Sequence, residues 1–265
     1  MADAFLNKVI IITGSGSGIG KAAALLFCKK GASVVLNGRD EIKLKRTVNE
    51  LKALGFEADY FVADVTDYED CKALVAFTIK TYGTVHALIT NAGISMNARF
   101  DKMDPLLFKK VLDSNVYGST TPLFACLDIL KQTKGSVLFI GSVAGFYGMP
   151  TASAYSAGKM ALTSIHQSLK SELNDTGIHL GILYVGFTEN DTDKKLMSAN
   201  GDWASVPNRP RLLQQSQNRV ASVIVSMIKR RSSKKTLSVA GKTTFFMAKF
   251  FPGLLGRLAI LSQRK

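Results

Sequence analysis

Cysteine and histidine are scarce in this chain, and their scarcity excludes two kinds of site. The three cysteines, Cys28, Cys71 and Cys126, are scattered and form neither a C-x-x-C pair nor the even framework of a disulfide scaffold. We therefore expect reduced thiols and a cytoplasmic protein. The three histidines are far apart in sequence, so no metal site is expected.

The chain contains no low-complexity segment. The chain runs directly into a strand pattern at residue 8, so we expect no signal peptide. Its apolar content of 46% is ordinary for a globular protein. A length of 265 residues is enough for one large α/β domain with a sizeable core.

Acidic residues are absent from the C-terminal part of the chain. Residues 203–265 contain 13 lysines and arginines and no aspartate or glutamate, whereas residues 1–202 contain 21 basic and 20 acidic residues. The net charge of +14 therefore lies almost entirely in the tail. This asymmetry favours an anionic partner, which is a membrane surface, a nucleic acid or an acidic substrate.

The end of the tail is apolar as well as basic. Within residues 243–261, Lys249, Pro252 and Arg257 interrupt the apolar side chains, so a membrane-spanning helix is a poor fit. The pattern suits an interfacial helix or hairpin on an anionic membrane. A dimer contact and a flap over a substrate site are the alternatives. A nucleic-acid partner is disfavoured because no aromatic-basic reader motif is present.

Glycines are concentrated after the first strand pattern, in the motif T-G-x-x-x-G-I-G formed with Gly14, Gly18 and Gly20. Such a turn lets the backbone approach a pyrophosphate, and the following helix offers free N–H groups and its positive dipole. The spacing G-x-G-x-x-G does not fit, because Ile19 and Lys21 occupy the third glycine's place. The motif predicts a dinucleotide site, and a flexible turn is the alternative.

Arg39 follows the second strand pattern, 33–37, where dinucleotide-binding folds often carry an acid for the ribose 2′-hydroxyl. An arginine suits a 2′-phosphate, so NADP is favoured over NAD. A solvated loop arginine is the alternative, and Asp40 and Glu41 lie nearby in sequence.

Strand and helix patterns then alternate, with a helix at 40–54, a strand at 57–63, a helix at 67–81 and a strand at 85–90. This alternation predicts a three-layer, doubly wound α/β fold of the Rossmann type, with a mainly parallel sheet of about seven strands. Ligands of such a sheet bind at the carboxyl ends of the strands.

Two of these strand ends carry candidate ligand contacts. Asp64 and Val65 follow the third strand, where the carboxylate can accept from an adenine amino group. Asn91, Ala92 and Gly93 follow the fourth strand, and small residues there let a ligand lie against the strand end.

A later helix is predicted to start at Asp104-Pro105, to carry Asn115 in its middle and to bend at Pro122. Asparagine has poor helix propensity in such a position. A lone mid-helix asparagine is usually a surface residue.

The pair Tyr155 and Lys159 lies one helical turn apart in a helix expected at about 151–174. An ammonium group beside a phenol favours the phenolate, and it lowers a pKa that is ordinarily about 10. Ser142 follows the fifth strand, 135–141, and can converge with Tyr155 on one substrate oxygen. Taken alone the spacing is common on solvated helices.

With these motifs in this order and spacing, the chain resembles the short-chain dehydrogenase/reductase family over about residues 8–239. The resemblance implies a Rossmann-fold catalytic domain at 1–241, a substrate lid at about 189–211 and a C-terminal extension at 242–265. It implies that Tyr155 is the general acid/base and that Lys159 lowers its pKa and binds the nicotinamide ribose. Ser142 would hold the substrate oxygen, and Asn115 would order a proton-relaying water.

The resemblance also implies the residues that contact the cofactor. They are Gly14, Ser15, Ser17, Gly18, Ile19, Gly20, Arg39, Asp64, Val65, Asn91, Ala92, Gly93, Tyr155, Lys159, Gly186 and Thr188.

Two positions depart from the family pattern. Val185 replaces the usual proline before Gly186, which changes the expected seating of the nicotinamide. Thr90 replaces the first asparagine of the usual N-N-A-G, where we expect an effect on stability rather than on activity.

The leading hypothesis is an NADP(H)-dependent carbonyl reductase or alcohol dehydrogenase that acts on an apolar, lipid-like small molecule. By analogy with the family we expect a homodimer or a homotetramer, associated peripherally with a membrane through its tail. The alternatives are a non-catalytic NADP-binding sensor and a membrane-associated scaffold on the same fold. A sensor needs the cofactor contacts but not Ser142.

Overall fold

The chain folds around one parallel sheet in a computed structural model that describes residues 4–191, 194–206 and 214–261. The strands are β1 (Val9–Ile12), β2 (Ser33–Gly38), β3 (Ala58–Val62), β4 (Ala87–Thr90), β5 (Ser136–Ser142), β6 (His179–Val185), β7 (Lys195–Met197), β8 (Trp203–Ser205) and β9 (Lys234–Thr236). Seven of them form a parallel sheet in the order β3-β2-β1-β4-β5-β6-β9, while β7 and β8 pair separately and antiparallel. The predicted fold class is confirmed.

Helices cover both faces of the sheet. They are α1 (Gly18–Cys28), α2 (Glu41–Ala53), α3 (Tyr68–Tyr82), α4 (Pro105–Asn115), α5 (Tyr117–Thr133), α6 (Ser153–Glu172), α7 (Gln217–Arg230), α8 (Val239–Phe250) and α9 (Pro252–Leu261). Side-chain oxygens of Asp40, Asp67 and Asp104 accept from backbone N–H groups in the first turns of α2, α3 and α4. These caps determine where the three helices begin.

The core lies in two layers, one on each face of the sheet. Alternate residues of β1 point to opposite faces, so Ile10 and Ile12 pack with α1 and α7 while Ile11 packs with α3 and α5. All three are essentially excluded from solvent, and each contributes roughly 1.5–3 kcal/mol of burial free energy. The double burial explains why the strands are continuous apolar runs.

A smaller apolar cluster joins the loop after β4 to the strand pair β7–β8. Met96, Val111, Ala154 and Met197 form its buried part, and Tyr155 packs against it. Met96 bridges Met197, whose N–H and C=O also bond backbone groups of the loop after β4. We call β7–β8 the lid hairpin, and this cluster fixes it beside the start of α6.

The helix that carries Asn115 breaks at a different place from the predicted one. Val116 separates α4 from α5, and Pro122 lies inside α5. Asn115 is thus the last residue of α4, not a mid-helix residue. Its side-chain amide donates to the carbonyl oxygens of Val111 and Ile94, both at 2.8 Å. The amide competes with the backbone for an acceptor in the preceding turn.

The last part of the C-terminal tail forms two helices, α8 and α9. Among the residues described, no helix combines the length and the apolar character that a membrane crossing needs. Helix α7 runs from Gln217 to Arg230, and residues 212–213 lie outside the described residues. The predicted lid, 189–211, includes two further stretches, 192–193 and 207–211, that lie outside them.

Candidate active site

The turn between β1 and α1 is so tight that two of its positions require glycine. Gly14 has a φ of +61°, and a Cβ there would lie 2.8 Å from the Cα of Ala92. A Cβ on Gly20 would lie 2.6 Å from the carbonyl oxygen of Gly14. The turn therefore brings backbone, without side chains, to the carboxyl edge of the sheet, as a dinucleotide site requires.

Asn91 and Thr13 hold this turn against the end of β4. The side-chain amide of Asn91 donates to the carbonyl oxygens of Thr13 and Gly14 at 3.0 and 2.8 Å. Thr13 Oγ1 accepts from the N–H groups of Asn91 and Ala92, both at 3.0 Å. The side chain of Asn91 therefore shapes the site by fixing the turn.

Ser15 is placed differently from the contact implied by the resemblance. Its side chain is completely buried; Oγ donates to the carbonyl oxygen of Ile12 at 2.6 Å and accepts from the N–H of Asn37 at 3.0 Å. Its own N–H donates to the carbonyl oxygen of Asn37. Since both donors are used inside the fold, Ser15 positions the turn instead of presenting a group to a ligand.

The other turn residues surround the start of α1. Ser17 is the N-cap residue, but its side chain makes no capping bond. Ile19 packs against the core. The N–H of Gly18, whose φ is +58°, donates at 2.7 Å to Oδ2 of Asp191. The sequence reasoning did not select Asp191, because 173 residues separate it from Gly18.

A cavity of about 430 Å³ opens beside the turn at the ends of β1–β4. Among its lining residues are six of those predicted to contact the cofactor, namely Gly14, Arg39, Asp64, Val65, Ala92 and Gly93. Lys109 and Lys110 of α4 line its other side and were not predicted. No motif in the sequence marks these two exposed lysines, because the packing of α4 beside the sheet edge places them there. The volume lies in the range of small-molecule sites.

Arg39 and Asp64 face each other across the mouth of this cavity. The guanidinium Nη1 lies 3.4 Å from a carboxylate oxygen of Asp64, and both side chains are substantially exposed. Burial alone would raise the pKa of Asp64, but hydrogen bonds from Thr66 and the charge of Arg39 outweigh it and lower this pKa below its usual value. Both predicted contacts are therefore charged at neutral pH.

Lys159 is a buried cation beside Tyr155. Its side chain is 4% exposed, its Nζ donates to the carbonyl oxygen of Ile140 at 2.9 Å, and it lies 5.7 Å from the centre of the Tyr155 ring. Burial lowers the pKa of Lys159 to about 8. The ammonium group is thus close to its titration range near neutral pH.

Asn115 reaches the same place from α4. A Cβ on Gly93 would lie 2.7 Å from Oδ1 of Asn115 and 3.6 Å from Nζ of Lys159. The amide oxygen and the ammonium group therefore both lie next to Gly93. Oδ1 is buried and has no hydrogen-bond donor among the described residues. An acceptor in that state needs a water or another donor, which fits the predicted relay toward Lys159.

Ser142 ends β5, and Gly186 directly follows the neighbouring strand β6. Ser142, at the end of β5, is paired with Val185, and its Oγ accepts from the N–H of Ala144 at 3.2 Å. Val185 is the buried last residue of β6, so the strand simply continues where the family has proline. Thr188 is nearly buried, and its Oγ1 lies 3.4 Å from the carbonyl oxygen of Gly186.

A nicotinamide dinucleotide fits this set of groups. The glycine turn and the cavity would hold the adenosine and the phosphates. Ser142 ends β5, and Tyr155 and Lys159 lie in the first two turns of α6, with Nζ of Lys159 close to Gly93 of the cavity lining. The unpartnered Oδ1 of Asn115 points to a polar path at that edge.

Known proteins with similar sequences and structures support a family assignment. A model of the family described as short chain dehydrogenase matches residues 8–201. An uncharacterized oxidoreductase of Thermotoga maritima is 33% identical over 217 residues, which are 82% of this chain and 83% of that protein. An 11-beta-hydroxysteroid dehydrogenase of Pinus massoniana is 34% identical over 199 residues, 74% of this chain and 56% of the relative.

Among solved structures, a short chain dehydrogenase/reductase from Burkholderia phymatum in complex with NAD is similar in fold. Its TM-score is 0.80 at 24% sequence identity, and the match covers 92% of this chain and 93% of that chain.

The burial of Lys159 determines how the stability of the fold should change with pH. The unfolded lysine has a pKa of 10.5 and the folded one about 8, so between these pH values the unfolded state binds more protons and stability rises with pH. Relative to Lys159→Met, wild-type protein should gain up to about 3 kcal/mol across this window.

Chemical denaturation at several pH values between 7 and about 10 measures the difference. Lys170→Met, an exposed change on the same helix, serves as the control and should show no such slope. A constant difference between wild type and Lys159→Met at every pH would contradict the buried charge.

Proposed function

The chain belongs to the short-chain dehydrogenase family of oxidoreductases, and we propose that it interconverts a carbonyl and a secondary alcohol with NADP(H). The observation that carries the proposal is the buried Lys159 ammonium beside Tyr155, close to a cavity that six of the predicted cofactor contacts line. When bound, the nicotinamide supplies a hydride to a carbonyl carbon or removes one from an alcohol.

The side chains of this protein handle the oxygen and the proton. In reduction, Tyr155 donates its hydroxyl proton to the substrate oxygen, and Ser142 donates a hydrogen bond to the same oxygen. The charge of Lys159 stabilises the phenolate that remains. Asn115 holds a water through its Oδ1, and protons return to Tyr155 through that water and Lys159.

The preference for NADP rests on Arg39. Its guanidinium is exposed at the mouth of the cavity and bonds Asp64 at a long 3.4 Å, so it can turn toward a 2′-phosphate at little cost. Lys110 of α4 adds positive charge to the same cavity, whereas Lys109 is paired with Asp113. NAD, which the Burkholderia phymatum structure contains, is the alternative cofactor.

An apolar substrate is supported by the surroundings of Tyr155. The cluster beside it is rich in methionine and includes Met96, Met103 and Met197, and such flexible side chains adapt to irregular apolar shapes. The Pinus massoniana relative is named for a steroid substrate. A lipid-like carbonyl or alcohol is therefore the proposed substrate class, and a homodimer or homotetramer is the proposed assembly.

The tail contacts the protein with one side and solvent with the other. Phe245 of α8 packs on Phe146, whose ring centre is 5.0 Å away, and the Nζ of Lys234 lies 4.5 Å from the Phe245 ring centre. Phe146 lies only four residues after Ser142. The tail is thus packed against the loop that follows the substrate serine.

The outer side of the tail is apolar with a basic border. Phe250, Leu254 and Leu258 are 56%, 51% and 50% exposed, and Lys249 and Arg257 stand among them. Exposed aromatic and leucine side chains bordered by cations match an anionic membrane interface. We propose that this surface binds the membrane peripherally while the catalytic domain remains in the cytoplasm.

Tyr155→Phe tests the chemistry while it preserves the ring and its packing. We expect kcat to fall by at least about 100-fold, because general acid/base catalysis supplies that factor, with little change in NADPH binding. NADPH absorbance with carbonyl substrates graded by chain length measures turnover, and Tyr68→Phe, exposed on α3, is the control. The proposal fails if wild type shows neither NADPH binding nor turnover, or if Tyr155→Phe turns over normally.

Arg39→Ala tests the cofactor preference. A charged hydrogen bond to phosphate is worth about 1.5–3 kcal/mol, so NADPH affinity should fall by about 10-fold to 100-fold while NADH affinity is nearly unchanged. Calorimetric titration of both cofactors measures this. Arg46→Ala, an exposed arginine paired with Glu50 on α2, should leave both affinities unchanged. Equal losses for both cofactors in Arg39→Ala would exclude contact with a 2′-phosphate.

The membrane surface is tested with a variant that keeps the tail docked. Phe250→Ser/Leu254→Ser/Leu258→Ser should abolish co-sedimentation with vesicles that contain anionic lipid, and wild-type binding should weaken with salt. Ile42→Ser/Leu54→Ser changes equally exposed residues of the catalytic domain and should bind like wild type. If the tail variant sediments like wild type, the tail does not carry the interaction.

A further inference from the structure

The first amide of α1 is bonded to a carboxylate from a distant part of the chain. Gly18 N–H donates to Oδ2 of Asp191 at 2.7 Å, while Ser17, the local N-cap residue, makes no side-chain cap. An N-cap oxygen normally satisfies one of the free N–H groups of a helix. Asp191 performs this task from 173 residues away.

The second oxygen of Asp191 is held by another helix. Oδ1 accepts from Nε2 of Gln217 at 2.9 Å, and Nε2 also donates to the carbonyl oxygen of Glu189 at 3.3 Å. Glu189 Oε1 accepts from the N–H of Gln217 at 2.8 Å. Two carboxylates two residues apart therefore bind the first turns of two helices, Asp191 on α1 and Glu189 on α7.

Only Asp191 stands where an anionic cofactor is expected to bind. The start of α1 follows the glycine turn, and its N–H groups and dipole favour a single negative group. A carboxylate and a pyrophosphate cannot share the N–H of Gly18, and their like charges repel. The carboxylate at 2.7 Å is thus a group of this chain that occupies an anion position.

We propose that Asp191 is an internal competitor of the cofactor pyrophosphate and that cofactor binding releases it from α1. This inference rests on the proposed dinucleotide function. In this proposal Asp191 lowers the affinity for the cofactor, whereas the residues that hold the cofactor raise it. Removal of its charge should strengthen binding.

Release of Asp191 also reaches the substrate side of the site. The same chain segment leads to the lid hairpin, in which Met197 pairs across the strands with Trp203. Met197 packs in the apolar cluster against which Tyr155 lies. The N–H of Lys194, which directly precedes the lid hairpin, donates to the carbonyl oxygen of Asp191 at 3.0 Å, so release of Asp191 should alter the wall beside Tyr155.

Cofactor affinity of full-length variants tests the competition. Asp191→Asn keeps the shape and an acceptor but removes the charge, and we expect NADPH to bind about threefold to tenfold more tightly, from the size of charge–dipole interactions at helix ends. Glu189→Gln is the matched control, because its carboxylate caps α7 and not α1, and NADPH affinity should change less than about twofold. Weaker or unchanged NADPH binding by Asp191→Asn would overturn the proposal.

Inorganic pyrophosphate separates this inference from the proposed function. It should bind Asp191→Asn more tightly than wild type even though it lacks the nicotinamide and the adenosine. If NADPH binds neither protein, the cofactor assignment fails, and the pyrophosphate titration still decides the role of Asp191. Equal pyrophosphate affinity in both proteins contradicts competition at Gly18.

The fluorescence of Trp203 tests the proposal without a measurement of enzyme activity. It is the single tryptophan of the chain, and it lies in the lid hairpin with its side chain 47% exposed. Emission of wild-type protein, excited selectively at Trp203, should change when NADP is added. Asp191→Ala without cofactor should already show the changed spectrum, whereas an unaltered spectrum that still responds fully to NADP would show that Asp191 does not restrain the lid.

Discussion

The active site depends on one interaction, the burial of the Lys159 ammonium against the carbonyl oxygen of Ile140. A cation that is almost completely buried needs a fixed acceptor to offset the cost of its desolvation. The backbone segments around Lys159 lie correspondingly close to one another. A Cβ on Gly145 would lie 2.8 Å from the carbonyl oxygen of Lys159, and a Cβ on Gly158 would lie 2.8 Å from the Cβ of Asn115. At these two glycines, the backbone of α6 therefore lies directly against the loop after β5 and against α4.

The parallel sheet explains why residues from so many parts of the sequence meet. Every strand of the seven ends at the same edge, so the turn after β1, the ends of β2 and β3, and the serine after β5 share one surface. The helices contribute their own ends: α1 brings free amides, α4 brings Asn115, and α6 brings Tyr155 and Lys159.

Much of this was predictable from sequence, because the relevant signals are local. The alternation of strand and helix patterns predicted the fold, which is confirmed. The glycine spacing and the four-residue interval between Tyr155 and Lys159 contributed to the family resemblance, which the family model confirms. Local patterns could not predict contacts that depend on tertiary packing. The helix breaks at Val116, beside the bonded Asn115, and not at Pro122. The hydroxyl of Ser15 is buried and bonded within the fold, and Asp191 bonds α1 from a distant part of the chain. In each case a polar side chain forms a hydrogen bond that the periodicity of the sequence does not predict.

The packing of Phe245 on Phe146 has a consequence for how substrate would be supplied. Since the tail touches the loop next to Ser142, a tail lying on a bilayer would hold the catalytic residues at a fixed height and orientation above the lipid. Apolar molecules that partition into the bilayer would then arrive by lateral diffusion in two dimensions, at a surface density far above their concentration in water. The rate of such an enzyme would follow the mole fraction of substrate in the membrane and not its amount per volume of solution.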